Sequence, residues 1–286
     1  MYINVSQLHD SCSSNGDCEP GLYCFNCQLE FSGSRCVRST VSNPFEIVNN
    51  SLPFNKYAFL TTHNSFAIDG EPSHTGVPRV TFDNQEDTVT QQLNNGVRAL
   101  MLDTYDFKGD VWLCHSTGGK CYDFTAFEPA LDTMMEIEAF LSANPSEIVT
   151  LILEDYVQAP NGLTKVFNES GLLQYWFPVS KMPQNGEDWP LVSDMVANNE
   201  RLLNSMGLVD MLNTCYIASG HRWANFVAVN YYKRSDGGGA FQATDMLNGR
   251  LLCGCQDSFT EMSMSNFYQC PYHAAKFLQK IYTRQI

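Results

Sequence analysis

The sequence predicts an α/β fold: a parallel-stranded barrel, short of its full complement of strands, led by a small Cys-rich module. Three observations predict it. Short apolar runs alternate with helical patterns from about residue 44 onward. Several of those runs end abruptly in polar, chemistry-bearing residues. Five of the eleven cysteines, Cys12, Cys18, Cys24, Cys27 and Cys36, crowd the first 40 residues.

The leading module, residues 1–40, reads as loops with turns at Asn15-Gly16-Asp17 and Pro20-Gly21. So short a segment cannot build its own core, and disulfides formed in an oxidising compartment would staple it. The CxxC spacing of Cys24 and Cys27 offers zinc as a competitor, but no second CxxC or paired His follows nearby. Sequons at Asn4, Asn49 and Asn168 fit a secreted glycoprotein. Residues 1–11 carry no readable signal peptide.

The main region, residues 41–260, has strand patterns at Tyr57–Thr62, Val97–Leu102, Val111–Cys114, Ile148–Leu153 and Phe226–Tyr231, with a sixth candidate at Cys215–Ala218. Helices are expected over Asn84–Asn95 and Glu128–Ala143. The second has Leu131, Met134, Met135, Glu138 and Leu141 at helical spacing and a stop at Asn144-Pro145. Leu191–Leu212 also carries a helical period, through Met195, Leu202, Leu203, Met206, Val209 and Leu212. A closed (β/α)₈ barrel needs eight parallel strands, and the pattern supplies five or six, with the deficit near 200–207. Residues 261–286 form a divergent tail.

The balance of 17 basic and 31 acidic residues gives a net charge of −14. Such a surface repels phosphate backbones, which argues against nucleic acid, and repels anionic lipid unless a local cation intervenes. No apolar run is long enough to span a bilayer.

Four predicted strands run into Thr62-His63-Asn64-Ser65, Asp103-Thr104-Tyr105-Asp106, Cys114-His115-Ser116 and Glu154-Asp155. Parallel strands would gather these ends on one rim, with Met101, Asp103 and Tyr105 sharing a face. Two imidazoles suit a phosphodiester: one takes a proton from the attacking hydroxyl while the other gives one to the leaving oxygen. Asn64, Asp103 and Glu154 are hard oxygen donors of the kind calcium takes. His9, His74, His221 and His273 read as ordinary hydrogen-bonded residues, and Cys114 and Cys121 straddle His115 as a candidate disulfide.

The stretches NKYAFLTTHNSF, DTVTQQLNNGVRALMLDTYD, VWLCHS, SEIVTLILEDYV and HRWANFVAVNYYKR, with the lead-in GSRCVRST, resemble plant PLC-like phosphodiesterases, proteins with a phosphatidylinositol-specific phospholipase C X domain. The resemblance covers roughly residues 10–200 and 207–255. It implies a distorted TIM barrel, two-histidine cleavage of an inositol phospholipid or related phosphodiester, peripheral membrane contact, and an extracellular or cell-surface setting. His63 and His115 match the family's catalytic histidines, and Asn64, Asp103 and Glu154 match ligand positions of its calcium-dependent branch. The chain departs at Met101, where that branch carries a further carboxylate. It has no Arg near Tyr105, which the metal-independent branch uses. Val229-Asn230-Tyr231 stands where relatives carry an acid, and the end of the chain has no GPI-type apolar segment. His221-Arg222-Trp223 lacks the glycine of a glycerophosphodiesterase start. Two function classes stay open: a phosphoric diester hydrolase, and a secreted binding or structural protein that keeps the fold without turnover.

Overall fold

A computed structural model gives the fold and describes residues 6, 10–20, 22–26, 34–38, 52–183, 187–205, 225–233, 240, 241 and 244. The chain divides into two units, Asn50–Tyr231 and a second made of Met1–Asn49 with Tyr232–Ile286. In the second unit, β1 (Leu22–Asn26) and β2 (Ser34–Arg38) pair antiparallel with Cys24 opposite Cys36. Disulfides Cys12–Cys24 and Cys18–Cys36 staple this hairpin. They consume Cys24 and so remove the zinc alternative. Cys27, the strand candidate Cys215–Ala218, His9, His221, His273 and residues 261–286 lie outside the described residues.

The larger unit is built on a mixed sheet. Its strands are β3 (Phe59–Thr62), β4 (Ala99–Phe107), β5 (Asp110–Cys114), β6 (Ala126–Pro129), β7 (Val149–Tyr156), β8 (Leu202–Ser205) and β9 (Phe226–Val229). The parallel part runs in the order β9-β3-β4-β7-β8. Buried Leu60, Leu100, Leu102, Leu151, Ile152 and Val227 give these strands the continuous apolar texture of a sheet covered on both faces. Among the described residues no pairing joins β8 to β9, so the described sheet is open.

Several expectations need correction. β5 is not a parallel barrel strand; it returns antiparallel to β4 through a two-residue turn at Lys108-Gly109. Both turn residues have positive φ, 51° and 80°, as a tight hairpin of the type I′ class requires. β6, absent from the sequence reading, continues this meander, so Glu128 and Pro129 belong to a strand rather than to the following helix.

The expected Asn84–Asn95 helix shrinks to α1 (Val89–Asn94), because Thr88 and Gln91 form a capping box there. The backbone N–H groups of Asn84 and Gln85 donate instead to Ala67 O. Helix α2 (Ala130–Ala143) buries Ala130, Thr133, Met134, Ile137, Phe140 and Leu141, while Met135 is exposed. The apolar face is therefore rotated from the one read off the sequence. α3 spans Gly162–Glu169. Of the expected Leu191–Leu212 helix, the described residues, which reach Ser205, form only α4 (Val192–Ala197). Asn199 adopts φ 58°, and Leu202 and Leu203 turn into β8, pairing with Val149 and Thr150.

Candidate active site

β4 has two edges, and their use assembles the site. One edge pairs with β7 over Ala99–Tyr105. The other pairs first with β3, up to Thr62 opposite Leu100, and then with β5, down to Leu113 opposite Thr104. β3 and β5 therefore run toward each other along one edge, and their last paired positions on β4, Leu100 and Thr104, are about 13 Å apart. His63 follows one tip and His115 the other. The sequence placed both on one rim through parallel strands; they meet instead because a hairpin turns β5 around.

Each ring is held by its Nδ1. His115 Nδ1 lies 2.8 Å from the carbonyl oxygen of Phe82. A carbonyl only accepts, so this nitrogen carries the hydrogen and Nε2 is left for chemistry. His63 Nδ1 lies 2.8 Å from Asn230 Oδ1, an amide oxygen that fixes the same tautomer. Burial holds the His63 imidazole below its ordinary value, and proximity to His115 adds to that. The Asn230 hydrogen bond and Glu154 act in the opposite sense. The balance of these effects disfavours the charged form of the ring.

The loop after His115 is fixed covalently. Cys114 and Cys121 form the expected disulfide, with Cα atoms 5.9 Å apart. Tyr105 Oη donates to Ser116 O, and the Tyr105 ring stacks on Tyr156 at 4.6 Å between centroids. Tyr156 Oη in turn donates to Glu154 Oε2.

Asp103 and Glu154 are register partners on β4 and β7, so their side chains share a face. Burial, and then the neighbouring Glu154, push the Asp103 carboxyl up to about 8. Two carboxylates in a poorly solvated place resist joint ionisation, and a cation relieves that. Buried Asn64 sits in the left-handed region at φ 44° and spends its amide nitrogen on Asn84 Oδ1, which leaves its oxygen as the donor atom. Two carboxylates and an amide oxygen are, by their chemistry, donors of the kind calcium takes. Met101, buried on the same strand face, adds no fourth oxygen.

The structure brings His63 within electrostatic reach of His115 and Glu154, sets Asp103 beside Glu154, and has Asn64 directly after His63. Sequence reading missed Phe82 and Gln85, and marked Asn230 only as standing where relatives carry an acid. Phe82 acts through a carbonyl, which no motif reports. His74, taken as an ordinary residue, has an electrostatic contact with Glu71.

The family described as PI-PLC X 1 matches residues 53–232. A PI-PLC X domain-containing protein of Arabidopsis thaliana is 44% identical, covering 87% of this chain and 75% of its own length. The chain belongs to the PI-PLC X domain family. The alignment to that Arabidopsis member runs over 321 residues, more than the 286 of the chain, so the relative has internal segments without a counterpart here. An uncharacterized secreted protein of Arthroderma benhamiae is 27% identical, over 62% of this chain and 39% of that protein. Among solved structures, a phosphatidylinositol-specific phospholipase C from Listeria monocytogenes superposes with a TM-score of 0.37 at 16% identity, over 55% of this chain and 53% of that one. A variant of the Staphylococcus aureus phosphatidylinositol-specific phospholipase C gives a TM-score of 0.39 at 14% identity, over 58% and 53%. Membership in the PI-PLC X domain family rests on the sequence matches and suggests phosphodiesterase-type chemistry. The described residues include no helix long and apolar enough to cross a membrane, and the three disulfides suggest an extracellular setting.

Proposed function

We propose that this chain is a phosphoric diester hydrolase that cleaves an inositol phospholipid, or a phosphodiester like it, by two-histidine acid/base catalysis. The observation that carries this reading is the meeting of two strand tips at His63 and His115, each ring anchored through Nδ1 with Nε2 left over. His63, held neutral, is the base: its Nε2 takes the proton of a substrate hydroxyl as that oxygen bonds to phosphorus. The bond from phosphorus to the leaving oxygen breaks, and His115, entering the step as an imidazolium with Nδ1–H on Phe82 O, gives its Nε2 proton to that oxygen. The product is a cyclic phosphate. In the reverse roles His115 takes a proton from water and His63 returns one to the sugar oxygen, opening the ring.

Asn64, Asp103 and Glu154 would hold calcium, which supplies positive charge against the phosphate oxygens as negative charge grows there. Tyr156 orients Glu154 through its hydroxyl.

A lipid surface as the place of work is supported by the rim beside His115. Val80 and Phe82 are 78% and 81% exposed, and Tyr122 and Phe124 about half as much. Val80 N donates to Phe124 O, which joins the two segments into one apolar edge.

A second reading, a secreted binding or structural protein without turnover, is favoured by one observation: His63 is oriented by the neutral amide of Asn230. The test measures inositol phosphate release from phosphatidylinositol with calcium and with chelator. Activity lost in a His63→Ala, His115→Ala double variant supports the enzyme; equal turnover in that variant removes the two-histidine mechanism.

A further inference from the structure

Between β3 and α1 lies a five-residue segment, Thr81–Gln85, that bonds to both halves of the site. Thr81 Oγ1 donates to His115 O at 2.8 Å, and Phe82 O accepts from His115 Nδ1. Asp83 O accepts from Tyr231 Oη, and Asn84 O from Tyr231 N. Asn84 Oδ1 accepts from Asn64. The fully buried Gln85 then donates through Nε2 to His63 O at 2.7 Å and to Val229 O at 3.1 Å. Val229 precedes Asn230, the partner of the His63 ring.

Beyond Thr62 the β3–β9 register ends. The Gln85 carboxamide bridges the two backbones at the point where they leave the sheet. Its Oε1 is buried with no hydrogen-bond partner among the described residues. An orphaned amide oxygen costs free energy, so the two donated bonds are what keep this side chain in place. No residue of the segment lies in a helix or strand, and within five residues it reaches the His115 ring and the His63 carbonyl.

We propose that Thr81–Gln85 is a strap that sets the two imidazoles in register with each other, with Thr81 the positioning residue for His115 and Gln85 the positioning residue for His63. The inference rests on the two-histidine reading for its kinetic consequence but not for its structural one. Acid and base must reach opposite oxygens of a single phosphorus, so an error in their mutual placement falls on the rate of the chemical step. Substrate binding is spared. Displacements of the order of an ångström cost about a hundredfold.

The test uses Thr81→Val and Gln85→Met, which remove the donors at nearly constant volume, in the full chain. With phosphatidylinositol in mixed micelles, each lowers kcat about ten- to a hundredfold with KM little changed. In a His63→Ala background Gln85→Met lowers the residual rate no further, because the group it positions is gone. Independently of turnover, imidazole ¹⁵N spectra of ¹⁵N-histidine-labelled protein show Gln85→Met moving the His115 signals and Thr81→Val moving those of His63. Signals that change only at the ring nearest each substitution, with kcat unaltered, overturn the strap. So does a lowered Tm accompanied by unchanged kcat and spectra. If Gln85→Met does not fold, Thr81→Val decides through the His63 signals. If the wild-type protein releases no inositol phosphate, the hydrolase reading falls while the spectra still judge the strap.

Discussion

The two halves of the site are made by opposite means. The His63 half is non-local: its ring is held by Asn230, 167 residues away, and its strand is paired on both sides by parallel neighbours. The His115 half is local. A two-residue turn brings β5 back along β4, a disulfide seven residues long closes the following loop, and the ring is held by a carbonyl 33 residues away. The first half depends on the whole sheet having formed, the second on short-range and covalent links. What must agree between them is a single distance, and the segment at 81–85 bonds to both histidines, to the ring and carbonyl of His115 and to the carbonyl of His63.

If the halves differ as base and acid, the leaving group separates them, and this carries the largest expected effect. His115→Ala should lower turnover of a phospholipid about a hundred- to ten-thousandfold. It should lower turnover of an aryl phosphodiester much less, since a nitrophenolate leaves without protonation. His63→Ala should be equally damaging with both substrates. Steady-state rates on the two substrate types check this. Equal rescue of both variants by the aryl leaving group would erase the distinction between the halves.

The covalent half offers the next effect. Cys114→Ser with Cys121→Ser removes a short loop closure worth about 2–3 kcal/mol in the unfolded-chain account. Denaturant unfolding should show that loss, and kcat should fall because His115 follows Cys114 directly. The Asn230 end should be disturbed less: the imidazole signals of His63 shift by less than those of His115. A disturbed His63 signal with an undisturbed His115 would reverse the comparison.

How much of this was legible follows the same division. The residue types at strand ends carried the chemistry, because His63, Asp103, His115 and Glu154 each follow an apolar run whose period survives in the chain. Alternation along β4 correctly put Met101, Asp103 and Tyr105 on one face, as the Asp103–Glu154 and Tyr105–Tyr156 neighbours show. Strand direction was not legible. Lys108-Gly109 is a weaker turn signal than Asn-Gly, so β5 was read as another parallel strand. Ala126–Pro129 is too short, and too close to a helical pattern, to announce itself as β6. Leu202 and Leu203 fit a helical period by sequence, yet the free edge of β7 takes them as β8. Asn230 was noticed only as a missing acid; its role as a hydrogen-bond acceptor needed the coordinates.

The hairpin half also carries a titrating liability. Glu128 on β6 is buried, and burial pushes its carboxyl up to about 7, partly offset by the hydrogen bond from Thr133; Glu71, Glu136 and Asp132 push the same way as burial. A carboxyl raised in the folded state contributes stability fully present below its unfolded value, near 4.5. That contribution is lost as pH rises through about 7. Glu128→Gln keeps the acceptor for Thr133 and removes the charge. It should flatten the fall in stability between pH 5 and 8 and add about 2 kcal/mol at the upper end, read from unfolding midpoints across that range. Unchanged pH dependence would mean that water reaches this carboxyl and that the hairpin half is looser than its burial suggests.

The smallest effect concerns where the His115 half meets its substrate. Phe82 presents its ring to solvent while its carbonyl orients His115, so side chain and backbone can be separated by substitution. Phe82→Ser leaves the carbonyl in place and deletes the ring. Phe124→Ser does the same across the Val80–Phe124 hydrogen bond. Burying one such ring in a lipid surface is worth about 1.5–3 kcal/mol, so each change should weaken turnover on neutral phosphatidylcholine–phosphatidylinositol vesicles about tenfold or more. A water-soluble inositol phosphodiester, which needs no interface, should be turned over at the parent rate. Parallel losses on both substrates would place Phe82 in the orientation of His115 and take the lipid-facing role away from this edge. With a net charge of −14, the chain gains little electrostatic attraction from an anionic surface, so an apolar edge of this kind would have to supply the contact.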